Sequence, residues 1–343
     1  MKKFIFLFIV LLSLSYFSCA PSIHVHYVQP ADWSNKAKQD STIKYFSQYL
    51  KGWKIFIDPG HGGEDRRGKG PAGDAIEADV NLRVSLTVRD YLERAGAKVI
   101  LSRDKDSTVA LSDRSILANA SGCDIFISVH HNAVCGSDRL TNYTSTWYHA
   151  REGHKDYNPC NWDIAKYIQR DLAYVMGNNG PLASFDGTLS DFIVYPNSGF
   201  SVLRHTKIPA VLLEGSFFSS TYEEQRLKIP EFNDIQAWGI FRGLGKYVRA
   251  GIPKLEFLSD TIVKSFKPEI DIKVNSEFPI AKNNIAVTVD SLKTDYIYNE
   301  DLNIITVKLD SALSSGDYLL NVVVANQNGN HSFPFKKNIR FIP

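Results

Sequence analysis

Two histidines and two glutamates stand where apolar segments of the sequence begin or end. His61 follows the β-prone residues 55–57 in a turn of proline and glycine, and Glu77 stands at the head of a helical pattern. His130 and Glu214 each follow an apolar run. A catalytic zinc ion takes three protein ligands, commonly two histidines and a carboxylate, and leaves one position open for water. These residue types therefore favour metal-assisted hydrolysis, with one further carboxylate free to move a proton.

The places of these residues in the chain predict that they meet. In a parallel α/β sheet, the carboxyl ends of strands and the amino ends of the following helices share one edge. His61 follows a predicted strand, His130 and Glu214 end predicted strands, and Glu77 stands at the head of a predicted helix. We therefore expect all four side chains on the same edge of one sheet.

Some residues compete for these roles. His131 is the rival of His130, and adjacent strand residues point to opposite faces, so only one of them can reach a metal beside His61. Glu64 is the rival of Glu77, but its position beside two glycines favours an orientation toward solvent.

Glu214 has a structural alternative as well as a catalytic one. It could be a carboxylate that pairs with an arginine such as Arg204. Asn132 and Arg204 are also candidate substrate contacts.

Residues 51–252 alternate apolar segments typical of buried strands with segments of helical periodicity. We predict strands at residues 54–58, 98–102, 124–130, 145–149 and 210–214. The main helices are expected at about residues 80–95, 112–120, 163–176 and 231–248. This order predicts an α/β domain, with a mostly parallel sheet covered by helices on both faces.

Residues 255–343 differ in pattern, because short alternating segments are separated there by turn residues. This pattern predicts a small all-β sandwich. The run SSGDYLLNVVV followed by NGN is similar to bacterial Ig-like domains, which implies an accessory module whose protein partner is unknown.

Residues 1–19 have the pattern of an export signal. Lys2 and Lys3 precede an apolar run at residues 4–17, and Cys19 closes that run after a small residue. A cysteine at this place resembles the lipobox of bacterial lipoproteins, which implies cleavage and lipidation at Cys19 and a membrane anchor. Ordinary secretion with cleavage nearby is the alternative. Either case predicts an exported protein of the periplasm or cell envelope.

Composition bounds the remaining possibilities. The net charge of +2 falls to zero when Lys2 and Lys3 are removed, so no nucleic-acid partner is indicated. Residues 20–50 are polar and mixed, and we predict a tether there.

Cys123 is expected to be a buried thiol, whereas Cys135 and Cys160 flank an aromatic-rich segment and could form a disulfide or remain free.

Ordered motifs between residues 54 and 248 resemble the zinc-dependent N-acetylmuramoyl-L-alanine amidases, a family of cell-wall hydrolases. The motifs are DPGHGG at residues 58–63, E-x-x-x-N-L at 77–82, R-x-x-D at 103–106, Arg114 with Ala118-Asn119, S-x-H-x-N at 128–132, and residues 209–214. The resemblance implies that His61, Glu77 and His130 bind zinc and that Glu214 is the catalytic carboxylate. The order Glu214-Gly215-Ser216-Phe217 departs from the usual family pattern, in which one residue separates the glutamate from Gly-Phe.

The resemblance implies hydrolysis of the amide between the lactyl group of N-acetylmuramic acid and L-alanine, with peptidoglycan as the substrate. Two other readings stay open: a non-catalytic wall-binding lipoprotein, and a zinc hydrolase of another amide or peptide. The long segment at residues 133–162 is expected to form a wall or a lid of the cleft and to help select the glycan or stem peptide.

Overall fold

The computed structural model describes residues 25–178, 180–181, 186–264, 268–310 and 313–342. The predicted leader and Cys19 lie outside these ranges. Within them, no helix is both long enough and apolar enough to cross a membrane.

The segment predicted as a tether is partly helical, which corrects that expectation. Helix α1 spans Ala31–Ser34 and α2 spans Lys36–Leu50. Asn35 caps α2 by accepting a hydrogen bond from the Lys38 amide. Ile43, Phe46 and Leu50 lie on one face of α2 and are buried in the main core. Most of this segment is therefore part of the folded domain.

A six-stranded sheet forms the centre of the molecule. Its strands are β1 Lys54–Pro59, β2 Lys98–Leu101, β3 Ile125–Asn132, β4 Ser145–Tyr148, β5 Thr188–Ser190 and β6 Ala210–Phe217. The helices that follow are α3 Glu77–Arg94, α4 Leu111–Ala120, α5 Pro159–Met176, α6 Ser201–His205, α7 Thr221–Leu227 and α8 Pro230–Arg249. A short 3-10 turn spans Asp191–Ile193. The five predicted strands are confirmed, and β5 is an additional short strand.

The sheet has the order β2-β1-β3-β6-β4-β5. Strands β1, β2, β3 and β6 are parallel, whereas β4 runs antiparallel to β6, and β5 runs parallel to β4. The predicted mostly parallel sheet is confirmed. His130 and Glu214 are direct partners in the register of β3 and β6, so the two strands present them side by side.

Alternate strand residues supply the cores on the two faces of the sheet. Ile55 and Ile57 belong to the large core that also contains Trp238 of α8, whereas Phe56 belongs to a smaller core with Ala118 of α4. Because strand side chains alternate between faces, helices cover both sides. Packing on both faces therefore holds β1 in place, and His61 follows the carboxyl end of this strand.

The C-terminal region consists of two sheets packed around their own core. Its strands are β7 Lys254–Phe257, β8 Ile262–Lys264, β9 Glu269–Asn275, β10 Ile280–Val289, β11 Leu292–Lys293, β12 Tyr296–Asn299, β13 Ile304–Lys308, β14 Gly316–Asn326 and β15 Phe335–Ile342. The sheets have the orders β11-β10-β14-β15-β8 and β12-β13-β9-β7. Ile272, Ile305 and Val322 are among the fully buried residues between them. The predicted all-β sandwich is confirmed.

Polar contacts join the sandwich to the first domain. The side-chain amides of Asn326 and Asn330 donate to main-chain carbonyls near the end of α8, at distances of 2.9–3.0 Å. Nearby, the main chain and Nδ1 of His331 each lie 2.8 Å from the buried Asp163 carboxylate. The sandwich therefore donates hydrogen bonds to the last turn of α8 and to the two residues that follow it.

Candidate active site

The turn after β1 places His61 at the carboxyl edge of the sheet. His61 adopts a left-handed backbone conformation, with φ of 59°, which is uncommon for a residue other than glycine. A side chain at Gly60 would lie 2.2 Å from the His130 ring, so only glycine allows this ring to approach so closely. The turn thus brings the two imidazoles together.

Two buried arginines hold this turn in place. Arg114 donates to the Asp58 carboxylate at 2.6 Å and to the Pro59 and His61 carbonyls at 2.8 and 2.9 Å. Arg103 donates to the Pro59 and Gly60 carbonyls, each at 2.9 Å. Five charge-assisted hydrogen bonds therefore stabilise the uncommon conformation.

Glu77 is the first residue of α3 and lies buried between the two histidines. Its Oε2 lies 3.1 Å from Nε2 of His61, and its Oε1 lies 3.2 Å from Nδ1 of His130. The ring centroids of the two histidines are 4.9 Å apart. One ligand atom from each of the three residues lies within 4.8 Å of the others, and no second group of this kind occurs in the described ranges.

The pKa values of His61 and Glu77 are shifted in opposite directions by their mutual contact. Burial lowers the pKa of His61, but hydrogen bonds and charges of Glu77 and Asp65 outweigh it and raise the pKa to about 9. For Glu77, burial raises the pKa, but the two histidines outweigh it and lower the pKa below its usual range. The carboxylate therefore remains ionised and able to bind a cation.

Asp65 is a site residue that sequence reasoning missed. Its carboxylate lies 2.7 Å from Nδ1 of His61, the ring nitrogen that does not face Glu77. A carboxylate at this place fixes the orientation of a metal-binding imidazole. The signal in the sequence was its position four residues after His61, within the same glycine-rich turn.

The side chain of His131 packs on the face of β3 opposite to that of His130. Its Nδ1 lies 2.8 Å from Oδ1 of Asn81, and its Nε2 lies 2.9 Å from the amide nitrogen of Gln236. Burial lowers the pKa of His131 to about 4, so this ring is neutral. A side chain at Gly215 would lie 2.2 Å from Gln236, which explains a glycine directly after Glu214.

Glu214 lies beside His130 in the carboxyl half of β6, three residues before the strand ends. Its Oε2 is buried and has no hydrogen-bond partner in the described part of the chain. Burial, assisted by the charge of Glu77, raises the pKa of Glu214 well above its usual range. A carboxyl group that is not engaged elsewhere and has a raised pKa is suited to accept and return a proton.

Tyr143 is a further neighbour that the sequence did not indicate. Its ring packs 4.5 Å from that of Phe217, three residues after Glu214. Burial, together with the charge of Glu214, raises the pKa of Tyr143. The first part of the 133–162 segment therefore lies beside this carboxylate.

The structure places the other candidates as follows. Glu64 is exposed, as expected, and Asn132 lies at the end of β3, where its side chain accepts the Ala133 amide at 2.8 Å. Arg204 is not brought to the cluster, because α6 precedes β6 and therefore lies at the amino edge of the sheet. Its guanidinium donates to the Ser198 carbonyl, so neither the substrate contact nor the pairing with Glu214 is supported.

The cysteines in the described ranges are free thiols. Cys123 and Cys160 are buried, as expected for Cys123, whereas Cys135 is exposed. Of the two possibilities for Cys135 and Cys160, the structure therefore has the unpaired one.

The residues present fit a zinc ion. Two imidazoles and one carboxylate are the donor set of many catalytic zinc sites, and all three converge here. The unpartnered Oε2 of Glu214 lies on the neighbouring strand. The arrangement can hold a divalent ion and place a proton-transfer group near it.

Comparisons with known proteins agree with this site. A Bacillus subtilis germination-specific N-acetylmuramoyl-L-alanine amidase is 30% identical over 218 residues, or 60% of this chain and 83% of the relative. A sporulation-specific N-acetylmuramoyl-L-alanine amidase of the same organism is 28% identical over 251 residues, or 70% and 83% of the two chains. The crystal structure of an N-acetylmuramoyl-L-alanine amidase from Clostridium difficile 630 is 28% identical with a TM-score of 0.50, covering 58% of this chain and 98% of that one.

The sequence profile of one family matches residues 55–246, which include His61, Glu77, His130 and Glu214. This match covers more than half of the chain. The chain therefore belongs to the N-acetylmuramoyl-L-alanine amidase family.

Proposed function

We propose that the protein is a zinc-dependent peptidoglycan hydrolase that cleaves the amide between the lactyl group of N-acetylmuramic acid and L-alanine. The observation that carries this proposal is the convergence of His61, Glu77 and His130 within 4.8 Å. Glu214 supports it, because it lies on the adjacent strand and its buried Oε2 has no hydrogen-bond partner in the described ranges.

The side chains divide the work of hydrolysis. Zinc, when bound, polarises the amide carbonyl and lowers the pKa of water toward ~7. His61, Glu77 and His130 hold it, and Asp65 orients His61 through Nδ1. Glu214 takes a proton from the attacking water and returns it to the nitrogen of the departing L-alanine, which then leaves as a neutral amine.

The test uses purified mature protein and isolated peptidoglycan, with products identified by mass spectrometry. Free stem peptides that begin with L-alanine are expected, and a chelator should abolish their release. Glu214→Gln should lower kcat by about 10²–10⁴-fold while zinc content stays the same. The exposed Glu64→Gln is the matched control and should keep full activity.

Other products would identify the other readings. Peptidoglycan that is bound but remains uncut would support a non-catalytic wall-binding lipoprotein. Cleavage within the peptide would support a hydrolase of another amide. Activity that survives complete removal of zinc would overturn the metal-dependent mechanism.

Localisation belongs to the proposal as well. Relatives named as cell-wall amidases, among them a probable cell wall amidase of Staphylococcus aureus, support export to the cell envelope. The leader pattern at residues 1–19 supports an anchor through a lipid on Cys19. Mass spectrometry of the mature N-terminus should find a diacylated cysteine at position 19, and an unmodified terminus would remove the anchor.

A further inference from the structure

A second histidine–carboxylate pair lies at the amino edge of the sheet, away from the candidate active site. Nδ1 of His149 lies 2.8 Å from Oδ2 of Asp191, and both side chains are buried. The other ring nitrogen, Nε2, is buried without a hydrogen-bond partner in the described ranges. The proposed amidase mechanism does not use His149.

The surrounding backbone holds this pair rigidly. The Asp191 carboxylate also accepts the Ala150 amide at 3.0 Å and the Phe200 amide at 2.8 Å. Ala150 has a φ of 63°, a left-handed conformation that is costly for alanine, and its carbonyl accepts the Ser190 hydroxyl at 2.6 Å. Strained conformations of this kind persist where the neighbouring structure imposes them, and they are frequent at binding sites.

His149 forms part of the wall of a cavity of about 340 Å³. Asn161, which is also buried, lies in the same wall. Three cationic residues line the cavity, namely Arg204, Lys207 and Lys336, together with the single acidic residue Asp156. Lys336 belongs to β15, so both the first domain and the sandwich build the cavity.

We propose that this cavity binds a phosphate monoester group. The three cations and Asp156 give the cavity a net charge of +2 without His149. A phosphate monoester carries about −1.5 to −2 at pH 7 and offers three strong acceptor oxygens. Arginine, lysine and amide groups are the donors that such oxygens require. The ring of His149, oriented by Asp191, forms part of the wall beside these donors.

A ligand in this position would contact both domains. Lys207 precedes β6 of the central sheet, and Lys336 lies on the sandwich. The bound group would therefore neutralise cations that belong to both domains. It lies at the opposite edge of the sheet from Glu214, so binding does not require the catalytic residues.

The test measures binding to the zinc-loaded full chain by calorimetry, at constant ionic strength. The probes are inorganic phosphate, glycerol 3-phosphate as a monoester, dimethyl phosphate as a diester, and acetate. Saturable binding of the first two is expected, with the singly charged diester and acetate at least tenfold weaker. NMR of ¹⁵N-histidine-labelled protein should show a shift of the His149 Nε2 signal on addition of glycerol 3-phosphate.

The variants Lys207→Gln and Lys336→Gln alter exposed side chains, so their folding should be preserved. Each should weaken glycerol 3-phosphate binding by roughly tenfold, as expected for the loss of a charged hydrogen bond. Lys337→Gln is the matched control, because adjacent residues of β15 point to opposite faces. Its affinity should equal that of the unaltered protein.

Three results would overturn the proposal. The first is the absence of saturable binding of phosphate or its monoester. The second is equal affinity in all three lysine variants, which would place the phosphate at the zinc ion or at random surface sites. The third is equal binding of acetate or the diester, which would indicate a site without preference for a doubly charged phosphate.

Discussion

The carboxylate of Asp65 determines which nitrogen of His61 faces Glu77. It lies beside Nδ1, which leaves Nε2 directed toward the cluster. Asp65→Asn should therefore weaken zinc binding by about 10–100-fold, because the imidazole loses both its orientation and part of its basicity. Competition with a chromogenic chelator measures this affinity. Glu64→Gln, one residue earlier and exposed, is the control, and equal zinc affinity in both variants would contradict the role of Asp65.

Zinc binding should also depend on pH through His61. In the metal-free protein, the pKa of His61 is raised to about 9, so the ring holds a proton at neutral pH. A metal-binding imidazole must give up that proton. Apparent zinc affinity should therefore rise with pH up to about 9 and then level off.

Calorimetry in buffers of different ionisation enthalpy checks this prediction. About one proton should be released per zinc ion at pH 7.5, and fewer above pH 9. No proton release at pH 7.5 would mean that His61 is already neutral in the metal-free protein.

The sequence could predict the main site residues because each lies near a boundary between a strand or helix and the next segment. Strands β1, β3 and β6 are parallel neighbours, so their carboxyl ends bring His61, His130 and Glu214 to one edge of the sheet. Glu77 reaches the same edge because it begins α3. Asp65 could not be predicted in this way, because its contact depends on the left-handed backbone of His61. The prediction for Arg204 was not supported, because the five residues of α6 are too few to show helical periodicity. The sequence therefore did not reveal that α6 lies at the amino edge of the sheet.

At the scale of elements, α2 shows a signal that was present but overlooked. Ile43, Phe46 and Leu50 are spaced by three and four residues, as one face of a helix requires. Most of the other residues of α2 are polar, so the helical spacing of these three apolar residues was not recognised. Strand β5 was missed for a different reason, since its three residues are too few to show alternation.

Phe46→Ala tests whether α2 belongs to the folded domain. The Phe46 ring is buried and packs edge to face against Phe241 at 5.7 Å. Its removal should lower the free energy of unfolding by about 3–5 kcal/mol. Urea denaturation measures this change, and the exposed Lys44→Ala is the control. A loss below about 1 kcal/mol would indicate a tether after all.

At the scale of the whole molecule, the sandwich stabilises the end of α8. Asn326 and Asn330 donate four hydrogen bonds to carbonyls of residues 247, 250 and 251. The double variant Asn326→Ala/Asn330→Ala removes both donors to the Gly251 carbonyl, whereas the Tyr247 and Ala250 carbonyls keep the Ala250 amide and the Asn328 side chain as donors. Leaving one buried acceptor unpaired costs about 1–3 kcal/mol. We expect a lower thermal midpoint for the first domain as well as for the sandwich.

Scanning calorimetry of the full chain measures this midpoint. Asn338→Ala, an exposed position on β15, is the control and should leave it unchanged. If the double variant lowered only a separate transition of the sandwich, the two regions would be energetically independent.

The unequal exposure of the three cysteines in the described part of the chain allows selective chemical labelling. Cys123 and Cys160 are enclosed by the core, and burial raises the pKa of both, which suppresses the reactive thiolate. Cys135 is open to reagents and lies on the loop that follows β3, at the catalytic edge of the sheet. Among these three cysteines, a maleimide fluorophore will therefore attach at Cys135, where its emission can report binding of the proposed peptidoglycan substrate at this edge of the sheet.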